Sequence, residues 1–216
     1  MKNSCKRRYI ATKKSFNPQK STILIFSMLI ALALSMWVCS MFKFCFECKN
    51  INNSIIRLHI IANSDSAEDQ QLKLKIRDAI VNDSYFLFEN SSGIDQALQT
   101  ISLNTEKIKH ISEDVSRETG YDYPIDVSVV NMYFPLRKYD NLTLPSGYYD
   151  ALRITIGSGR GQNWWCVIYP CMCVPAACSD ADLSQTLGRG ELDIIENYDK
   201  YKVKFKFLEF LQMLGF

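Results

Sequence analysis

An α+β domain that follows an N-terminal membrane-spanning or signal helix is the fold class this sequence predicts. Three observations predict it. Ile23–Phe42 is a run of twenty residues without one charge, and a basic stretch precedes it. Short alternating segments that suit strands are interspersed with apolar stripes at helical spacing. These strands and helices mix without regular βαβ repetition, so residues 51–216 read as one extracytoplasmic mixed strand/helix domain.

At 1.5 Å per residue, a helix over Ile23–Phe42 spans about 30 Å, the hydrocarbon thickness of a bilayer. Residues 1–20 hold seven Lys/Arg and no acid. That bias predicts that the basic N-terminus, residues 1–22, is cytoplasmic and that the chain after Lys43 lies on the other side. Signal peptides have a shorter apolar core of about 7–15 residues, so the length of 23–42 favours an uncleaved anchor. Small residues at Ala33 and Ser40 leave cleavage sites for the alternative, a secretory signal. The formal charge of +2 over 216 residues hides an asymmetry: residues 43–216 carry 18 basic and 23 acidic residues, a net of −5. An acidic outer domain is a poor ligand for phosphate backbones, and no nucleic acid is expected.

Along the outer part, Ile55–Ala62 (IIRLHIIA) alternates and is rich in β-branched residues, with Ile56, Leu58 and Ile60 on one face and Arg57, His59 and Ile61 on the other. It reads as a strand. Asn63-Ser64-Asp65-Ser66 is a turn that supplies a helix cap, and Ser66-x-x-Asp69 resembles a capping box with Asp in place of Glu. A helix is expected over Ala67–Val81, with Leu72, Ile76, Ala79 and Ile80 on its stripe and an Asp69–Lys73 pair at i,i+4. Asn90–Gly93 breaks the chain. Leu98, Ile101, Ile108, Ile111 and Val115 then continue a helical stripe to Gly120, interrupted near Asn104. Pro124–Phe134, Tyr148–Ile156 after the turn at Pro145-Ser146-Gly147, and Trp165–Tyr169 read as strands. Lys202–Phe207 (KVKFKF) alternates charge and apolar residues, as an edge strand guarded by lysines would, and Leu208–Leu214 suits a closing helical turn.

Few residues carry chemistry. Gly157-Ser158-Gly159-Arg160-Gly161 lacks both the GxGxxG spacing and a Gly-Lys-Ser/Thr ending, and it falls between two strands. It reads as a tight turn where the backbone approaches something closely. The outer domain has two histidines, so Cys166 with His59 is the one thiol–imidazole dyad available, while His110 reads as surface. Against the dyad, Cys166 sits mid-strand, without a helix N-terminus to lower its pKa. Cys45-x-x-Cys48 lacks the context of a redox motif or a second pair for zinc, and the C-x4-C-x-C-x4-C spacing of Cys166, Cys171, Cys173 and Cys178 suits disulfides better than a metal. No metal or other cofactor is expected. Asp65 and Asp69 are explained by capping a helix N-terminus. In Trp164-Trp165 one ring must point to each face of a strand, which leaves one packed against a helix or offered to a partner.

Several strings resemble one family. Arg57-Leu58-His59-Ile60-Ile61-Ala62-Asn63-Ser64-Asp65-Ser66, then Glu68-Asp69-Gln70 and Leu72-Lys73-Leu74-Lys75-x-Arg77-Asp78-Ala79, are similar to the signature of the stage II sporulation protein R family. So are Phe134-Pro135-x-Arg137-x-Tyr139, Pro145-x-Gly147-x-Tyr149-x-Ala151-Leu152, and Ile156-Gly157-x-Gly159-x-Gly161-Gln162-Asn163-Trp164-Trp165-Cys166-Val167. The resemblance runs in order over Ile55–Val174 and more weakly over KFKFLE. It implies a signalling protein without catalytic residues, made in the forespore and exported across the forespore membrane. In the intermembrane space it would activate a membrane-embedded aspartic peptidase of the mother-cell membrane, so that pro-sigma factor E is processed. It also implies that Cys166 and Cys173 are the two recurring cysteines, and a Cys166–Cys173 disulfide follows as an expectation. Cys171 stands where the family more often has proline, Cys178 lies outside the pattern, and Ser146 replaces a usual alanine. Asn63, Ser64, Asp65, Gln162, Asn163 and Trp164 are the expected partner-contact residues, being polar or aromatic groups in loops or at strand ends. The reading from another functional class is an extracytoplasmic Cys-dependent hydrolase acting on peptide or cell-wall material.

Overall fold

The computed structural model describes residues 18–88, 93–139, 142–170, 184 and 186–215. The chain divides after Lys43 into two compact units. The first contributes most of α1 (Pro18–Ser54), a helix long and apolar enough to cross a membrane. Its apolar side chains from Ile23 to Val38 are exposed, Met28 by 76%. Leu is the commonest residue of that run, and with Met and Ala it favours helix. The basic residues 1–17 lie outside the described residues. The helix does not stop at Phe42. No Gly or Pro interrupts Lys43–Ser54, and Phe44, Cys48 and Ile51 form a buried stripe at helical spacing that continues to Ile55.

The second unit is built on a four-stranded mixed sheet in the order β2-β5-β1-β6, formed by β1 (Ile56–Ile61), β2 (Ile125–Phe134), β5 (Gly147–Ile156) and β6 (Asn163–Tyr169). Central β1 runs parallel to β5 and antiparallel to β6, and β2 is antiparallel to β5. β3 (Arg137–Tyr139) and β4 (Leu142–Leu144) form a separate hairpin that the sequence reading does not anticipate.

The alternation read in β1 is the alternation found. Ile56, Leu58 and Ile60 join Leu152, Ile154, Ile156, Cys166 and Ile168 in one core, together with Leu72, Ile76 and Ile80 of α2 (Ala67–Phe88), Ala97 and Ile101 of α3 (Ile94–Leu103), and Ile108 of α4 (Thr105–Glu118). Asn104 separates α3 from α4, where the stripe was expected to break. α2 outruns the expected end at Val81 because Tyr85-Phe86-Leu87-Phe88 contains nothing that stops a helix.

The C-terminal expectation is overturned. Lys202–Phe207 is no edge strand; it lies inside one helix, Tyr198–Met213, which also absorbs most of the expected closing turn. Tyr201, Phe205 and Leu208 repeat at i, i+4 and i+7, so the helical frame puts the aromatic and apolar groups on one side while Lys202 and Val203 face solvent. Phe44 packs edge-on to Phe205 at 5.1 Å and stacks on Tyr201 at 5.7 Å. A short helix, Arg189–Glu196, precedes it and buries Ile194 and Ile195. Gln212 ties the last helix to the strand-entry turn, donating from Nε2 to the Ser146 carbonyl at 3.0 Å and accepting from Ser146 Oγ at 2.7 Å.

Candidate functional site

Two loops meet at the end of the sheet where β1 and β5 finish and β6 begins. Asn63, Ser64 and Asp65 lie in the turn after β1, and Gln162, Asn163 and Trp164 lie at the start of β6. The Asn63 Oδ1 accepts from the Ser158 amide at 2.9 Å, and the Asn63 carbonyl accepts from Ser158 Oγ at 2.7 Å and the Arg160 amide at 3.2 Å. Asp65 Oδ1 accepts from the Gln162 amide at 2.7 Å, and the Ala62 carbonyl from the Gly161 amide at 2.9 Å. The glycine-punctuated turn is thus stapled to the β1–α2 turn. Two of its glycines are required. A Cβ on Gly161 would stand 2.2 Å from the Ser64 carbonyl oxygen. Gly157 has φ +56, and a Cβ there would meet Asn63 Oδ1 at 2.4 Å.

Below the staple sits Asp69, whose Oδ2 accepts from Asn63 Nδ2 at 2.9 Å and Ser64 Oγ at 2.5 Å. Only half of the expected capping box forms. Ser66 Oγ accepts from the Asp69 amide at 3.1 Å, but the Asp69 carboxylate turns back to Asn63 and Ser64. The expected Asp69–Lys73 pair is replaced too: buried Lys73 donates to Gln70 Oε1 at 2.5 Å and to the Gln162 carbonyl at 2.9 Å. Burial holds the Lys73 ammonium below its ordinary pKa, with Asp65 opposing. Asp69, Lys73 and Ser158 are the members of this cluster that sequence reasoning leaves out as site residues. The helical position of Asp69 and Lys73, one turn apart at the start of α2, was the signal available.

The structure therefore brings all six expected contact residues to one end of the sheet, but it uses most of their polar groups internally. Asn63, Ser64 and Asp65 bond within the staple, and Asn163 Oδ1 accepts from His59 Nε2 at 2.9 Å. The two tryptophans point to opposite faces. Trp164 lies on the helix-covered side with the Arg77 guanidinium 4.4 Å above its ring. Trp165 lies on the other side, with Arg137 at 4.2 Å and the His59 ring at 5.9 Å.

The Cys166–His59 dyad is not assembled. Cys166 pairs in register with Leu58 and shares its buried face, whereas His59 pairs with Trp165 on the opposite face. Cys166 is disulfide-bonded, and Cys171, Cys173 and Cys178 lie outside the described residues. Burial lowers the pKa of His59, Asn163 opposes that, and Arg153 adds to it. His110 is exposed, 3.6 Å from Glu113. Cys45 and Cys48 are free thiols one turn apart on α1. Among the described residues no three His, Cys, Asp or Glu gather as metal ligands would.

These features define a class: an α+β domain joined to one long apolar helix, with two polar loops locked together at one sheet end. Comparison with known proteins gives the family. Residues 52–179 match the family model described as stage II sporulation protein R, and the chain belongs to that family. It is 39% identical over 123 residues to the stage II sporulation protein R of Bacillus subtilis (strain 168), a match covering 57% of this chain and 55% of that relative. The match thus spans about half the length of the curated relative. No solved structure matches the chain. The matched segment contains the whole four-stranded sheet and both stapled loops, and the terminal KFKFLE lies beyond it.

Proposed function

We propose that this protein is the sporulation signal between forespore and mother cell: exported across the forespore membrane, it activates a membrane-embedded aspartic peptidase in the mother-cell membrane, which then processes pro-sigma factor E. Membership of the stage II sporulation protein R family carries this reading. The apolar α1 is compatible with export, either as an anchor or as a signal. The protein acts by binding and does no chemistry of its own. Contact with the peptidase's outer face stabilises its active state through higher affinity for that state. Asn63, Ser64, Asp65, Gln162, Asn163 and Trp164 mark the contact end of the sheet, with the exposed Gln162 and Asn163 foremost. Cys166 pairs with Cys173 on this reading.

The test is an immunoblot for the sigma-factor precursor in a host that makes precursor and membrane peptidase, with and without this protein exported. Processing is expected only with the protein present, and it should survive His59→Ala. Full-length precursor despite confirmed export and a competent peptidase would sink the proposal. The hydrolase reading has no observation in its favour, since its nucleophile and base stand on opposite faces of the sheet.

A further inference from the structure

The sheet face opposite α2, α3 and α4 carries a row of four cross-strand neighbours. Ser128 on β2 pairs with Arg153 on β5, Arg153 with His59 on β1, and His59 with Trp165 on β6. Among the described residues each holds a buried polar atom without a hydrogen-bond partner: Ser128 Oγ, Arg153 Nε, His59 Nδ1 and Trp165 Nε1. His59 is only 5% exposed, and Arg137 from β3 lies over Trp165 at 4.2 Å. Buried polar atoms are rarely left unpaired; of the seven such atoms among the described residues, four lie in this one row, and Asn52 Oδ1, Arg57 Nη1 and Trp164 Nε1 lie elsewhere. The charge is unbalanced as well. Among the described residues neither Arg153 nor Arg137 forms an ion pair. Asp126, on the same face of β2, lies opposite Thr155 rather than Arg153.

We propose that this row is a binding site for an acidic segment of a protein partner, with a carboxylate received between Arg153, Arg137 and the Trp165 indole. The donors set the class of ligand. The row offers the Arg153 guanidinium, the Trp165 indole N–H and the Ser128 hydroxyl, with the Arg137 guanidinium over the indole, and a carboxylate is the acceptor that a guanidinium fork fits best. His59 selects a peptide among carriers of negative charge. Its Nε2 is committed as a donor to Asn163, so Nδ1 of the neutral ring accepts, and a peptide backbone supplies the N–H it needs. A lipid phosphate has no such donor. The site goes beyond the proposed signalling role, and its test does not depend on that role.

The full chain in zwitterionic micelles is titrated with an acetylated Gly-Glu-Glu-Gly amide, with its Gly-Gln-Gln-Gly twin, and with short-chain phosphatidylglycerol. The indole N–H resonance of Trp165, identified by its loss in Trp165→Phe, is followed throughout. The glutamate peptide is expected to shift that resonance saturably and the glutamine twin is not. Arg153→Gln should weaken binding about 10-fold or more, with partial recovery in Arg153→Lys. An unmoved Trp164 resonance shows that the sheet is intact. If Arg153→Gln does not fold, the exposed Arg137→Gln makes the same test. No shift up to about 10 mM glutamate peptide, equal shifts by both peptides, undiminished binding in the arginine variants, or a response to phosphatidylglycerol alone would each overturn the proposal.

Discussion

Asp69 is 4% exposed, and its carboxylate receives the amide of Asn63, which also holds the second loop through Ser158 and Arg160, and the hydroxyl of Ser64. Burial acts to raise its pKa; the hydrogen bonds from Ser64, Asn63 and Tyr123 together outweigh it, and the carboxyl is held below its ordinary value of 3.8. A carboxylate depressed in the folded state contributes stability above its unfolded pKa and loses it as the pH falls through the folded one. Asp69→Asn puts an amide donor against existing donors and should cost roughly 1.5–3 kcal/mol at neutral pH. The gap between wild type and variant should hold at neutral pH, begin to narrow near about pH 4, where the unfolded carboxyl protonates, and close only below the depressed folded pKa. Thermal melts of both chains by near-ultraviolet circular dichroism, at several pH values, measure it. A gap independent of pH would remove the charged form of Asp69 from the account.

At the scale of elements, the segment from Tyr198 to Met213 separates two frames that the sequence offers for the same residues. As a strand, Val203 and Phe205 would share a face and both would matter. As the observed helix, Phe205 is 1% exposed and Val203 is 81% exposed. Phe205→Ala should therefore destabilise the protein by about 3–5 kcal/mol, while Val203→Ala should leave it unchanged or gain a few tenths of a kcal/mol from helix propensity. Chemical denaturation of the two variants decides between the frames. The same contrast explains what was legible. β1, β2, β5 and β6 and the break at Asn104 follow from local alternation, because each strand has one face in the helix-covered core. The KVKFKF string also alternates, but the helix is set by partners distant in sequence, above all Phe44 on α1. At the candidate site, sequence reading located the two loops. It missed that Asn63 and Asp65 hold the second loop through Ser158 and Gln162, because those bonds exist only once β1, β5 and β6 lie side by side, whereas the bonds of Asn63 and Ser64 to Asp69 are local to the turn.

For the whole molecule, the outer domain begins within α1, before its first strand. Phe44, Cys48 and Ile51 are at most 2% exposed, and all belong to the second unit although they lie on α1. Burial of such side chains contributes about 1.5–3 kcal/mol each for the larger ones, against a net stability of roughly 5–15 kcal/mol for a domain. Loss of these last helical turns of α1 would thus remove a large part of the margin. A chain starting at Lys43 should fold cooperatively with the outer domain intact, whereas one starting at Ile55 should lose its cooperative transition or melt far lower. The boundary has a consequence for export. Cleavage after Ala33 or Ser40 would leave Phe44–Ser54 attached, so an anchored and a released form would carry the same folded domain and the same stapled loops. Equal melting of the chains starting at Lys43 and Ile55 would show instead that the end of α1 adds nothing to the fold, and the domain would then begin with β1.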